Sequence, residues 1–338
     1  MSRLILEDYD KYVYETELRD FLPDKIFDFH VHLYNKDIPY IIPPKEPSWV
    51  TRVSEEMSKE ELPELLKTFF PDKESKALIF GWTNREYDAM NEYVRQGGSE
   101  LSYPALYRTN HAMPQEKLEE DIKKGGFSGI KPYISDRPLY IPINETRIFD
   151  YLTPAHLEVC DRNGWIVMLH IPRDMRLKDP VNLAQIAEIE EKYPNLKLII
   201  AHIGRAYAKE DIGNAFEVIG KGKNTYFDFT ANLCDDAIKA CIEAVGTDKL
   251  LFGSDLPVAK MRMYRIVEDG SYVNIIRRGE YGDMSGIAHM RETDEKDVTL
   301  MMYEQLRALK RVAADLKLTD NDIEKIMYSN AERLICDK

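Results

Sequence analysis

The chain has little cysteine, no long apolar run and no surplus of positive charge, and each shortage closes off a class of function. Its four cysteines, Cys160, Cys234, Cys241 and Cys336, show no C-x-x-C spacing. The N-terminus, Met1-Ser-Arg-Leu-Ile-Leu-Glu-Asp-Tyr-Asp10, lacks the apolar core of a secretion signal. Together these point to a reducing cytoplasm. No stretch approaches the roughly 18 uninterrupted apolar residues of a membrane span. Lys and Arg number 46 against 59 Asp and Glu, a net charge of −13. With no spare cations to displace counterions, nucleic acid and anionic membrane surfaces are unexpected partners. Internal repeats and low-complexity tracts are also missing.

What is present is a recurring construction, an apolar strand-like run ending in a polar residue with ligand chemistry. The first is Ile26-Phe-Asp-Phe-His30-Val-His32, whose two imidazoles project the same way because alternate side chains of a strand share a face. Three others follow: Trp165-Ile-Val-Met-Leu-His170, Leu196-Lys-Leu-Ile-Ile-Ala-His202 and Leu250-Leu-Phe-Gly-Ser-Asp255. Buried parallel strands read as continuous apolar runs, and α/β barrels carry their active sites at the C-terminal strand ends. Helical patterns separate the runs, as parallel neighbours require.

Further strands are expected over 76–82, 103–108, 127–133 and 225–229, which completes eight. The expected fold is therefore a distorted (β/α)8 TIM barrel with an N-terminal helix and a C-terminal helical extension. Such barrels commonly need about 250 residues. The 338 residues suit one domain, 1–338, with the barrel over about 26–255 and an insertion plus closing helices over 256–338. Residues 35–56 contain Pro39, Pro43, Pro44 and Pro47 and read as a long irregular loop above strand one. Residues 256–294 show no clear pattern, and helices are expected over 297–316 and 321–334. Thr153-Pro154 marks a helix start that Gly164 closes.

The strand ends D-F-H-V-H, G-I-K-P-Y, L-H-I-P-R, A-H-I-G-R and F-G-S-D-L-P, with the terminal N-A-E-R-L, resemble the amidohydrolase superfamily. The nearest branch is the amidohydrolase-related (amidohydrolase 2) group of metal-dependent hydrolases, lactonases and non-oxidative decarboxylases. The resemblance runs from about residue 26 to the end, except for the stretch after Leu256. It implies that His30, His32, His170 and Asp255 hold one divalent ion, zinc first and manganese second, with His202 beside it as electrophile, proton shuttle or added ligand. Asp255 would also accept a proton from water, making Asp255 and His202 the catalytic pair. Imidazole and carboxylate donors suit such an ion on chemical grounds as well. Lys131 ends strand four, where some superfamily members carry a carboxylated lysine bridging two metals; a single ion is favoured here.

Arg173, Arg205 and Arg262 follow strands five, six and eight, and their planar guanidinium groups suit a carboxylate-bearing small molecule. Lys131, Tyr133 and Trp82 complete the expected substrate wall. His111 and His156 read as incidental and structural, and His289 has no assigned role. The function expected from the resemblance is metal-assisted hydrolysis of a lactone or amide. The alternatives are decarboxylation with the same ligands, isomerisation of a sugar acid, or a barrel that binds without catalysis. A homodimer is the expected assembly.

Overall fold

The computed structural model describes residues 4–336 apart from 47 and 285, so Pro47 of the expected loop lies outside the described residues. Eight strands run in chain order around one sheet: β1 Lys25–Leu33, β2 Glu74–Gly81, β3 Ala105–Arg108, β4 Gly129–Lys131, β5 Ile166–Leu169, β6 Lys197–Ile200, β7 Thr225–Asp228 and β8 Leu250–Leu251. Each pairs in parallel with the next. The residues after β8 close the ring on β1: the Phe29 amide donates to the Phe252 carbonyl at 2.8 Å, Asp255 to His30 at 2.9 Å and His32 to Leu256 at 2.9 Å. The fold is a TIM barrel. Its strands are mostly apolar on both faces, because side chains fill the inside and helices cover the outside, with most of their buried polar residues toward the C-terminal ends. All four residues of β5, Ile166, Val167, Met168 and Leu169, are buried, each worth about 1.5–3 kcal/mol relative to exposure.

Local signals place the crossover helices. Thr153 Oγ1 accepts the His156 amide at the N-terminus of the helix Pro154–Asn163, and Gly164, at φ 63°, ends it two residues before β5. The C-terminal helix Asn330–Cys336 packs under the barrel, where Asn330 Nδ2 donates to the Leu250 carbonyl at 2.9 Å. Leu334 joins Phe27, Phe29, Leu78 and Phe80 in a cluster that fills that end. The opposite end, carrying the C-terminal strand ends, is left as the mouth.

Three segments differ from their sequence expectations. Within the loop after β1, Trp49–Val53 forms a short helix whose Ser48 cap accepts the Thr51 amide. The stretch 256–294 holds a second, three-stranded sheet: β9 Met263–Glu268 and β10 Ser271–Arg277 form an antiparallel hairpin, and β11 Met290–Thr293 pairs in parallel with β10. Its turn, Asp269-Gly270, has both residues at positive φ, 49° and 73°, the backbone that a two-residue hairpin of this twist requires. The last expected helix is split into Asp320–Glu324, a π-turn over Lys325–Ser329, and Asn330–Cys336.

Candidate metal centre

At the mouth, β1 turns His30 and His32 toward the residue that closes the barrel after β8. Asp255 Oδ1 lies 2.9 Å from His32 Nε2 and 3.5 Å from His30 Nε2. These three side chains form a compact group, with ligand atoms all within 4.8 Å of one another. Proton positions follow from the partners behind the rings. Tyr133 donates its hydroxyl to the Gly81 carbonyl at 2.6 Å, so its oxygen can only accept from His32 Nδ1–H at 3.1 Å. His30 Nδ1–H donates to Asp228 Oδ2 at 3.1 Å, and His202 Nδ1–H to the Thr230 carbonyl at 2.9 Å. The Nε2 lone pairs of His30 and His32 therefore face the same carboxylate oxygen. Acceptors facing acceptors at this distance need a shared cation, and neutral imidazoles with a carboxylate suit a divalent metal ion.

The electrostatics agree with that donor set. Burial, followed by the charge of Lys131 and the neighbouring imidazoles, holds His30 well below the usual imidazole range. Burial also lowers His32 against the pull of Asp255, and burial, followed by the charges of His202 and Arg205, holds His170 well below the usual imidazole range. Burial alone would raise Asp255, but the close contact with His32 and the surrounding imidazoles outweigh it and bring Asp255 down to about 2. The chain thus presents neutral imidazoles and an ionised carboxylate at neutral pH, the protonation states in which these groups ligate metals.

Supporting residues fix the arrangement. The buried Asp228 at the end of β7 accepts the His202 amide at 2.7 Å as well as the His30 ring. Asp28 Oδ1 accepts the Ser254 amide at 2.8 Å across the β1–β8 seam, and burial pushes its carboxyl up to about 7. Gly253 leaves room for His30, since a Cβ there would stand 2.1 Å from Thr230 Oγ1 and 2.5 Å from His30 Cβ. Backbone strain gathers on the same rim: His202, Ile203, Gly204 and Arg205 take φ of 59°, 47°, 58° and 60°, and Asp255 takes 65°. Left-handed conformations cost non-glycine residues about 1–2 kcal/mol each, and such strain concentrates at functional sites. Asn232 Nδ2 holds the strained turn by donating to the Ala206 carbonyl at 2.9 Å.

The other expected site residues are distributed unevenly. His202 sits with its ring 4.8 Å from His30, and His170 packs against His202 at 5.2 Å, outside the compact group. Trp82 lies edge-on to His32 at 4.5 Å, so it joins Tyr133 at the pair. Lys131 is buried with Nζ unpartnered, 4.8 Å from the centre of the Phe80 ring. Burial lowers its pKa to about 8, against the pull of Asp228 and Asp255. Arg205 Nη1 donates weakly to the Ile171 and Arg173 carbonyls. Two other guanidinium groups are engaged elsewhere. Arg262 turns away from the mouth to pair with Asp10 at 2.5 Å and Glu7 at 3.3 Å, anchoring the N-terminal helix Asp8–Val13. Arg173 Nε is held by both oxygens of Asp179, the cap of the helix Pro180–Lys192, at 3.0 Å. His111 and His156 bond to the Asp136 and Met113 carbonyls, as incidental and structural residues would.

Sequence reasoning missed Asp228 and Asp28. The signal for Asp228 was there, an acidic residue closing the apolar run Thr225-Tyr-Phe-Asp228, the same construction as the other strand ends.

Fold and site together define a TIM barrel whose mouth carries a histidine–carboxylate group fit for a divalent ion. The family model for amidohydrolases matches residues 28–335, and the chain belongs to that family. No curated protein matches it. Among solved structures, it is similar to a probable 2-pyrone-4,6-dicarboxylic acid hydrolase from Acinetobacter baumannii with citric acid bound, at 14% identity and a TM-score of 0.57, covering 92% of this chain and 98% of that one. An amidohydrolase from Burkholderia multivorans with bound zinc gives 12% and 0.61, with coverage of 92% and 98%. A 5-carboxyvanillate decarboxylase from Novosphingobium aromaticivorans, with manganese and 3-methoxy-4-hydroxy-5-nitrobenzoic acid bound, gives 11% and 0.56, with coverage of 93% and 97%. At these identities the likeness is one of fold.

Proposed function

We propose that this protein is a metal-dependent hydrolase of a small carboxylate-bearing lactone or amide, working as one domain with a single divalent ion, zinc before manganese. The observation that carries the reading is the convergence of His30 Nε2 and His32 Nε2 on Asp255 Oδ1, each ring fixed from behind by a hydrogen-bond partner. His30, His32 and Asp255 would hold the ion, with His170 and His202 beside them. When bound, such an ion polarises a carbonyl oxygen and makes water acidic enough to react near neutral pH.

The chain's own residues supply the rest. Asp255 is ionised and positioned to take a proton at its carboxylate. His202, with Nδ1–H committed to the Thr230 carbonyl, presents Nε2 as a proton carrier toward the reacting group. Trp82 and Tyr133 wall the side next to His32 and exclude water there. Decarboxylation is the second reading, because the solved structures of similar fold include 5-carboxyvanillate and 2,6-dihydroxybenzoate decarboxylases, one of them with manganese bound. Incubating the metal-loaded protein with a panel of lactones, amides and phenolic acids tests both: ring opening or amine release supports hydrolysis, and carbon dioxide release without water consumption replaces it with the second reading. No turnover with any of them counts against both.

A further inference from the structure

A second cluster at the mouth, on the His202 side, has no place in the chemistry above. Tyr207 packs edge-on to His202 with ring centres 6.5 Å apart, and Tyr272, delivered by the β9–β10 hairpin, meets Tyr207 at 5.0 Å. Guanidinium groups bracket these rings. Arg265 lies 4.6 Å from Tyr207 and 4.9 Å from Tyr272, and Arg176 lies 4.7 Å from Tyr272. Arg205 stands on the strained turn that also carries His202.

The charges of this cluster do not balance. Arg176 pairs with Asp211 at 2.8 Å, yet its buried Nε has no hydrogen-bond partner. Arg265 donates only to neutral acceptors, Asn274 Oδ1 at 2.8 Å and the Ala231 carbonyl at 3.0 Å. Arg205 reaches only backbone carbonyls. Among the described residues no carboxylate pairs with Arg205 or Arg265, although acids outnumber bases in the chain by 59 to 46. Burial is strong enough to lower the Arg265 pKa, and burial also raises the Tyr207 phenol, so that ring stays neutral and supplies no counter-charge. Arg265 and Arg205 are half-buried, and a partly desolvated cation without its anion carries a cost that an anionic ligand removes.

We propose that Arg265, Arg205 and Arg176, set around Tyr207 and Tyr272, form a subsite for a second anionic group of the substrate, so that the enzyme selects dicarboxylates over monocarboxylates. This rests on the carboxylate-processing reading of the His30, His32 and Asp255 centre. One carboxylate end or reacting carbonyl faces that centre while the other is held in the guanidinium cluster, its ring or chain lying along Tyr207. The β9–β10 hairpin is then a specificity element, since it brings both Arg265 and Tyr272.

Calorimetric titration of the metal-loaded full chain with benzoate and with isophthalate tests this without requiring turnover. The parent should bind isophthalate at least about tenfold more tightly than benzoate, the worth of one added charged hydrogen bond. Arg265→Gln should bring that ratio close to one. Arg205→Gln, on a different element, should lower it as well, which covers the case in which the hairpin variant misfolds. Equal or absent binding of the two acids by the parent, or a ratio unchanged in both variants, overturns the proposal. Selective isophthalate binding by a protein that turns over no lactone, amide or phenolic acid would instead refute the reaction and leave the subsite standing.

Discussion

Lys131 gives a prediction whose size follows from the structure. Its amine is buried at the end of β4 with no hydrogen-bond partner, and its pKa falls from 10.5 to about 8. Below pH 8 the folded and unfolded chains both carry the proton, so the folded state bears the full penalty of a poorly solvated charge. Between about 8 and 10.5 only the unfolded chain stays protonated, and stability rises with pH. At 1.36 kcal/mol per pKa unit, the penalty is about 3 kcal/mol at pH 7 and about 1 kcal/mol at pH 10. Lys131→Met keeps most of the volume and removes the charge. In chelator-stripped protein, urea denaturation should find the variant more stable than the parent by about 3 kcal/mol at pH 7, with the gap narrowing to about 1 kcal/mol at pH 10. A variant no more stable at pH 7, or a gap that does not change with pH, would refute the reasoning.

Two other substitutions separate the roles around the ion. Tyr133→Phe removes the acceptor for His32 Nδ1–H and should weaken metal affinity about 10- to 100-fold, measured by competition with a chromogenic chelator; unchanged affinity would show that the Tyr133 contact does not orient the ring. Asp255→Asn should lower kcat far more than it raises KM once a substrate is in hand, because the amide cannot accept the proton. Full activity in that variant would remove Asp255 from the chemistry.

The parts that could be read from the sequence share one property: their signal is local. Strand ends such as Met168-Leu169-His170 and Ile200-Ala201-His202 announce both a buried strand and the polar group it delivers to the mouth, so the barrel and its histidines were legible. Direction was not. Arg173 and Arg262 follow strands as Arg205 does, but whether a guanidinium turns to the mouth or to Asp179 and Asp10 depends on partners 6 and 252 residues away. The β9–β10 hairpin had a readable sign in Asp269-Gly270 between alternating runs, obscured because Tyr264, Arg265 and Tyr272 break the plain apolar-polar pattern. Asp228 escaped because it was absorbed into its strand, although its role behind His30 is as clear in the structure as that of any ligand.

The most direct test of the account is metal content per chain, by elemental mass spectrometry on protein purified without chelator, for the parent and for His30→Ala and Asp255→Ala. The account predicts about one zinc or manganese in the parent and loss of it in both folded variants. About two ions would contradict the single-ion centre and point to a carboxylated Lys131 as a bridge. A parent that neither carries nor takes up a divalent ion, or variants that retain it in full, would contradict the assignment of His30, His32 and Asp255 as its ligands.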